Sequence, residues 1–82
     1  MDAAWREADD RLVRELSFAD FVGAMAFVNR VAEAAEDANH HPDILVHGYS
    51  NVRLTLQTHT SGSVTDADRK LAETIDGLVG SG

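Results

Sequence analysis

The only proline of this 82-residue chain, Pro42, fixes the point at which a long helical pattern must end. The apolar residues that recur at three- and four-residue steps in this pattern are Phe18, Phe21, Val22, Met25, Val28, Val31, Ala32 and Ala35. Their spacing predicts a helix over about residues 18–38 with one apolar face, and Ser17 and Asp20 have the spacing of an N-terminal capping box. Because proline disfavours the helical conformation for the residue before it, we expect the helix to end by His40.

The segment after the proline has the pattern of two short strands followed by a second helix. Residues 44–46 are an apolar run, and residues 52–57 alternate apolar with polar side chains, as a half-buried strand does. Thr65 and Asp68 have the spacing of a second capping box. The apolar face predicted for the helix that follows consists of Leu71, Ala72, Ile75, Leu78 and Val79.

The segment before the first helix allows two interpretations. Residues 5–8 and 11–16 flank a turn-like Asp9-Asp10 pair and could be two short strands of a hairpin, but their periodicity is poor and a helix is also possible. Strands paired through short turns, together with two long helices, predict an α+β fold with an antiparallel sheet and the helices on one face. We expect residues 1–82 to form a single domain.

Composition narrows the classes of function. The 7 basic residues face 14 acidic ones, which gives a net charge of −7, and no arginine cluster offers the basic surface that direct nucleic-acid binding needs. The chain has no cysteine, which excludes a disulfide framework, a thiol nucleophile and a thiolate zinc site. No apolar run approaches the roughly 18 residues of a membrane span, and the acidic N-terminus does not resemble a signal peptide, so we expect a cytoplasmic protein without a membrane partner.

Three of the four histidines, His40, His41 and His59, lie where predicted elements end, so side chains from distant segments can meet there. Histidine has an unperturbed pKa of about 6.5, and two imidazoles could therefore act as general acid and general base on a small polar substrate. Glu36 lies four residues before His40 and would share its face if the helix extended that far.

Two other interpretations of these residues remain open. In the first, His40 and His59 with Glu36 or Asp68 bind a divalent metal, although their spacing matches no standard metal-binding motif. In the second, the domain is a protein-binding or scaffold module, and its histidines have no chemical role.

A family resemblance is carried, in chain order, by Glu36-x-x-x-His40-His41-Pro42, Tyr49, His59 and Asp68. With this pattern the chain resembles the pterin-4a-carbinolamine dehydratase family, whose animal members double as dimerisation cofactors of a homeodomain transcription factor. The resemblance implies a four-stranded antiparallel sheet with two long helices packed on one face, assembled into homodimers or homotetramers. Because the chain begins almost at Trp5, the N-terminal helix of the family is expected to be largely absent.

The resemblance also implies an activity, the dehydration of a 4a-hydroxytetrahydropterin to the quinonoid dihydropterin, without a metal or organic cofactor. It implies that His40 and His59 transfer protons and that His41 chiefly orients the pterin. The substrate-binding residues that it implies are Asn39, His40, His41, Gln57, Thr58, His59, Glu36 and Asp68. The alternative on the same fold is a non-catalytic protein-binding, assembly or transcription-cofactor role.

Overall fold

A computed structural model of the chain describes residues 5–58 and 62–80. Its elements in chain order are β1 (Arg6–Ala8), β2 (Arg11–Ser17), α1 (Phe21–Ala38), β3 (Asp43–His47), β4 (Asn51–Leu56) and α2 (Asp66–Gly80). Within the described ranges, no helix is both long enough and apolar enough to cross a membrane.

The four strands form one antiparallel sheet in the order β1-β2-β4-β3. In its centre Leu12 of β2 pairs with Leu56 of β4, and Leu54 pairs with Ile44 of β3. More buried side chains alternate with more exposed ones along β3 and β4, whereas all three residues of β1 are exposed. The α+β class with a four-stranded antiparallel sheet is confirmed.

The N-terminal segment forms the hairpin rather than the alternative helix. Asp9 and Asp10 connect β1 to β2, and both have positive φ angles, 53° and 61°. A two-residue hairpin turn of this hand follows the natural twist of the strands, and aspartate tolerates the left-handed conformation better than most residues. The Asp9-Asp10 turn therefore favours the hairpin over the helix for this segment, whose hydrophobic periodicity does not distinguish the two.

The hydrophobic core lies between the sheet and the two helices. Val52, Leu54 and Leu56 of β4 are fully buried, as their alternation predicts. Leu71 and Ile75 of α2 pack in the same core cluster, which also contains Trp5 at the start of the described chain. The C-terminal end of β4 lies next to the start of α2, where the Thr58 hydroxyl donates to Asp68 at 2.8 Å.

The first helix begins three residues later than the predicted capping box requires. Ser17 is the last residue of β2, where its hydroxyl donates to the Asn51 side chain at 2.8 Å. Asp20 is the N-cap instead, with extended backbone angles and a carboxylate that accepts from the Gly23 N–H at 2.7 Å. The assignment of Ser17 as the cap is therefore wrong, because the sheet extends through this residue.

The buried face of α1 differs in part from the predicted face. Val31 and Ala35 are buried as expected, together with Ala24 and Phe27. In contrast, Phe21 is 52% exposed, Val22 is 75% exposed, and Ala32 is also exposed. The structure buries the stripe at residues 24, 27, 31 and 35, and the apolar residues of the first turn lie outside it.

Replacing the observed cap tests this assignment. We expect Asp20→Ala to lower the free energy of unfolding by about 1 kcal/mol, because the Gly23 N–H loses its acceptor. Asp20→Ser is the matched control, since a serine hydroxyl caps helices about as well, and its stability should stay within a few tenths of a kcal/mol of wild type. Urea denaturation followed by circular dichroism measures both. Equal losses in the two variants would contradict a capping role for Asp20.

Candidate functional site

The end of α1 sets the positions of the two adjacent histidines. Asn39 adopts the left-handed conformation, with φ 52° and ψ 42°, and its N–H donates to the carbonyl of Glu36 at 3.1 Å. The His40 N–H donates to the carbonyl of Ala35 at 3.1 Å, so the helix ends in a Schellman motif. The expectation that the helix ends by His40 is confirmed, and asparagine in the left-handed conformation ends the helix before Pro42.

His40 meets Asp68 across the gap between the two helices. The imidazole lies just beyond the end of α1, and its Nε2 hydrogen-bonds Oδ1 of Asp68 in the first turn of α2. The two residues are 28 positions apart in the chain. The Asp68 side chain is completely buried and the His40 side chain is 17% exposed, so this pair is largely shielded from water.

The second oxygen of Asp68 is held by the end of β4 and by the start of α2. Oδ2 accepts from the Thr58 hydroxyl at 2.8 Å and from the Thr65 N–H at 2.9 Å, the latter being one half of the predicted capping box. The Thr58 and Thr65 hydroxyls are 2.6 Å apart and hydrogen-bond each other. A buried charge is tolerated only when it is well hydrogen-bonded, and Asp68 meets that condition.

These contacts determine the protonation of Asp68. Burial by itself raises the pKa of this carboxyl group. The hydrogen bonds from His40, the Thr65 backbone and Thr58, with a smaller contribution from the charge of the His40 imidazole when it is protonated, outweigh that effect and hold the pKa of Asp68 below its ordinary value. Asp68 is therefore an ionised hydrogen-bond acceptor at neutral pH.

His41 points to a different partner. Its Nε2 hydrogen-bonds Oε2 of Glu36, and both side chains are largely exposed, 59% and 76%. Because α1 ends at Ala38, the helical spacing that would have placed Glu36 beside His40 does not extend that far. An ion pair this exposed contributes little to stability, and most of the His41 side chain is accessible to solvent.

Of the remaining predicted site residues, the structure describes Gln57, Thr58 and Asn39. The Gln57 amide donates to the carbonyl of Gly62 at 3.1 Å and to that of Asp10 at 3.4 Å. Asn39 is exposed at the helix end. His59 lies outside the described residues. Its neighbour Thr58 is fixed by backbone hydrogen bonds to Ser63 at 3.0 Å and from Gly62 at 2.8 Å.

Thr65 joins this cluster although its sequence spacing to Asp68 indicates only a helix cap. No sequence pattern reveals that its hydroxyl contacts Thr58, because that contact depends on how β4 and α2 pack. Among residues 5–58 and 62–80, no group of three or more histidine and acidic side chains is arranged to hold a metal ion. The metal interpretation includes His59 and stays a hypothesis.

A cavity of about 210 Å³ borders His40 between the ends of the two helices. Its other lining residues are Ala38, Ala67, Lys70, Leu71 and Thr74. Pockets that enclose a drug-sized ligand usually measure about 300–1,000 Å³, so this cavity alone is smaller than such a site. A shallower groove between α1 and α2 adjoins it and shares Ala38, Lys70 and Thr74.

Comparison with known proteins shows that the chain matches a known protein family. A family model for "Pterin 4 alpha carbinolamine dehydratase" matches residues 1–78. A protein of Acidobacterium capsulatum is 50% identical over 76 residues, which cover 93% of this chain and 82% of that protein. One of Thermomicrobium roseum is 53% identical over 73 residues, 84% of this chain and 77% of that protein. Both are named "Putative pterin-4-alpha-carbinolamine dehydratase".

Two solved structures share the fold. A protein of Brucella melitensis described as "transcriptional coactivator/pterin dehydratase" superimposes with a TM-score of 0.85 at 32% identity, covering 93% of this chain and 82% of that one. A second is described as "a pterin dehydratase-like protein as a RuBisCO assembly factor in the alpha-carboxysome". It gives a TM-score of 0.77 at 29% identity and covers 94% of this chain and 90% of its own.

The lowered pKa of Asp68 predicts a specific loss of stability in acid. The unfolded chain binds a proton at the ordinary aspartate pKa of about 3.9, and the folded chain binds it only at lower pH. The stability that Asp68 contributes is therefore present above the unfolded pKa and is lost as the pH falls through the folded pKa. Between pH of about 6 and about 3, the free energy of unfolding should fall more in wild type than in Asp68→Asn.

Denaturant titrations at a series of pH values provide the measurement. Asp66→Asn is the matched control, because Asp66 is an exposed carboxylate in the same helical turn. This variant should follow the wild-type pH profile. Parallel profiles for wild type and Asp68→Asn would show that Asp68 has no lowered pKa.

Proposed function

Because this chain belongs to the pterin 4 alpha carbinolamine dehydratase family, we propose that it dehydrates a 4a-hydroxytetrahydropterin, the 4a-carbinolamine, to the quinonoid dihydropterin and water. The observation that carries the proposal is the pairing of His40 with the buried carboxylate of Asp68. An imidazole held by an ionised carboxylate at a partly shielded position is well suited to proton transfer.

The reaction needs one proton acceptor and one proton donor. The acceptor takes the proton from N5, and the electron pair of that N–H bond forms the new double bond between N5 and C4a. The C4a–O bond breaks, and the donor protonates the departing hydroxyl so that water leaves instead of hydroxide. Two histidines, one neutral and one protonated, provide both functions near neutral pH.

The proposed roles follow the family pattern and, for His40 and His41, the contacts that these two side chains make. His40 and His59 transfer the protons, in agreement with the resemblance of both positions to the family pattern. His41 orients the pterin, and its exposed position beside Glu36 is consistent with contact to a ligand that enters from solvent. Asn39 and Gln57 complete the substrate contacts in the proposal. No cofactor has a role in this mechanism.

Removing either proton-transfer group should nearly abolish turnover. A positioned general acid or base contributes roughly 10²–10⁴-fold in rate, so we expect His40→Ala and His59→Ala each to lower kcat by at least about 100-fold. His47→Ala is the matched control, because His47 is an exposed histidine at the end of β3 and has no proposed role. The measurement is the dehydration of a freshly generated 4a-hydroxytetrahydropterin, followed by ultraviolet absorbance.

Circular dichroism of each variant checks that the fold is intact. If His59→Ala retained wild-type turnover, the assignment of His59 would be wrong. If the wild-type protein itself gave no rate above the spontaneous reaction, the proposed activity would be wrong.

We further propose that the chain assembles into a homodimer or homotetramer. Phe21 and Val22 are adjacent in the first turn of α1 and are exposed by 52% and 75%. Leu45, 48% exposed, lies on β3, which is an edge strand of the sheet. A domain of this size buries a smaller share of its surface on folding than a larger domain does, and contact with a second copy covers more apolar surface.

A charge at Val22 should weaken such an assembly if the exposed first turn of α1 lies in the interface. We expect Val22→Asp to shift the molar mass in light scattering after gel filtration toward the monomer, because a carboxylate in an apolar interface loses its hydration. Ala32→Asp is the control, an equal charge change at an exposed position ten residues along the same helix, about 15 Å away. A wild-type protein that elutes as a monomer at all concentrations would contradict the proposal.

The second candidate function is a binding role without catalysis. Two observations favour it: the exposed pair Phe21 and Val22, and the description of one structural relative as a RuBisCO assembly factor. The dehydration assay separates the two functions. A protein with only a binding role should show no turnover above the spontaneous reaction, and His40→Ala should not change that rate. Turnover that is lost in His40→Ala favours the enzyme.

A further inference from the structure

We propose that Thr58 is a positioning residue of this site. Its hydroxyl holds the Asp68 carboxylate so that Asp68 keeps His40 in the tautomer with hydrogen on Nε2, and Nδ1 of His40 is then the atom that exchanges a proton with the substrate. The catalytic part of this inference rests on the proposed function, whereas the tautomer can be observed without any turnover.

The tautomer follows from the donor and acceptor roles in the pair. An ionised carboxylate accepts hydrogen bonds and cannot donate, so the hydrogen between Asp68 and His40 lies on Nε2. A neutral imidazole has one hydrogen, and its Nδ1 therefore has a lone pair. In the described part of the chain, no side chain or backbone group hydrogen-bonds Nδ1 of His40. With respect to residues 5–58 and 62–80, the lone pair of this nitrogen is therefore available to accept a proton.

Thr58 fixes the orientation of the carboxylate. Oδ1 of Asp68 faces His40, and Oδ2 faces the Thr58 hydroxyl and the Thr65 N–H. The Thr65 hydroxyl lies closer to Thr58 than to Asp68, 2.6 Å against 3.3 Å. The hydroxyls therefore form a chain in which Thr65 donates to Thr58 and Thr58 donates to Asp68. Without the Thr58 hydroxyl, Oδ2 of Asp68 loses the hydrogen bond from the end of β4, and the carboxylate group is less restricted in its rotation.

Thr58 also links the end of β4 to the carboxylate that binds His40. Thr58 follows the last residue of β4 by two positions and immediately precedes His59 in sequence. Its backbone is held by Ser63 and Gly62 independently of its hydroxyl. One side chain thus joins the strand that leads to His59 with the carboxylate that binds His40. The resemblance implies that Thr58 contacts substrate, whereas its hydroxyl is directed at Asp68 and Thr65.

The test compares Thr58→Val with Thr58→Ser in the full chain. Valine keeps the shape of threonine and removes the hydroxyl, and serine restores it. Thr55→Val is the matched control, because Thr55 lies in the same strand and its side chain has no hydrogen bond among the described residues. The first measurement is the long-range 15N–1H NMR spectrum of the imidazoles. The signals of His40 are identified by their loss in His40→Gln.

We expect the Nε2–H tautomer for neutral His40 in wild type, Thr58→Ser and Thr55→Val, and a mixture of tautomers in Thr58→Val. The second measurement is steady-state kinetics, in which Thr58→Val should lower kcat by about tenfold or more with little change in KM. Serine should restore most of the rate. A loss caused only by poorer folding would not be restored selectively in this way.

The inference is overturned if neutral His40 in wild type has its hydrogen on Nδ1, or if Thr58→Val leaves both the His40 spectrum and kcat unchanged. If Thr58→Val does not fold, Asp68→Asn replaces it, because an amide both donates and accepts and should relax the tautomer preference of His40. A wild-type protein with the Nε2–H tautomer but no dehydratase activity would contradict the proposed function. It would leave the role of Asp68 and Thr58 in holding His40 supported.

Discussion

The buried carboxylate of Asp68 is the interaction on which the geometry of the candidate site depends. It receives hydrogen bonds from the end of α1, the end of β4 and the start of α2 through His40, Thr58 and Thr65. Each donor comes from a different element, so the three elements must pack together before the charge is stabilised. A carboxylate left in this position without its donors would be strongly destabilising. Packing of the core and formation of the site are therefore coupled.

The same coupling separates the two adjacent histidines into different environments. His40 lies against Asp68 with 17% of its side chain exposed, whereas His41 pairs with Glu36 at the surface. The left-handed Asn39 produces this difference, because it ends α1 and turns the chain before the histidines. A shielded imidazole suits proton transfer and an exposed one suits ligand contact, which agrees with the roles proposed for the two residues.

Much of the fold could be predicted from local patterns. The alternation in β4 identified its buried side chains Val52, Leu54 and Leu56, and the end of α1 was set correctly. Two local predictions are wrong because tertiary contacts outweigh local preference. Serine is a common helix N-cap, but Ser17 is the last residue of β2. Phe21 is apolar and is predicted on the buried face of α1, but it is half-exposed. Local spacing cannot tell which apolar stripe of a helix the sheet will cover.

For the site, the sequence by itself determined which titratable residues are present, where the elements that hold them end, and which family they resemble. It did not determine their partners. Only the tertiary structure paired His40 with Asp68, 28 residues away, gave Glu36 to His41, and placed the Thr58 hydroxyl on the buried carboxylate. The physical reason is that elements and their ends follow from short-range backbone preferences. Hydrogen-bond partners and burial depend on the packing of segments that are distant in the chain.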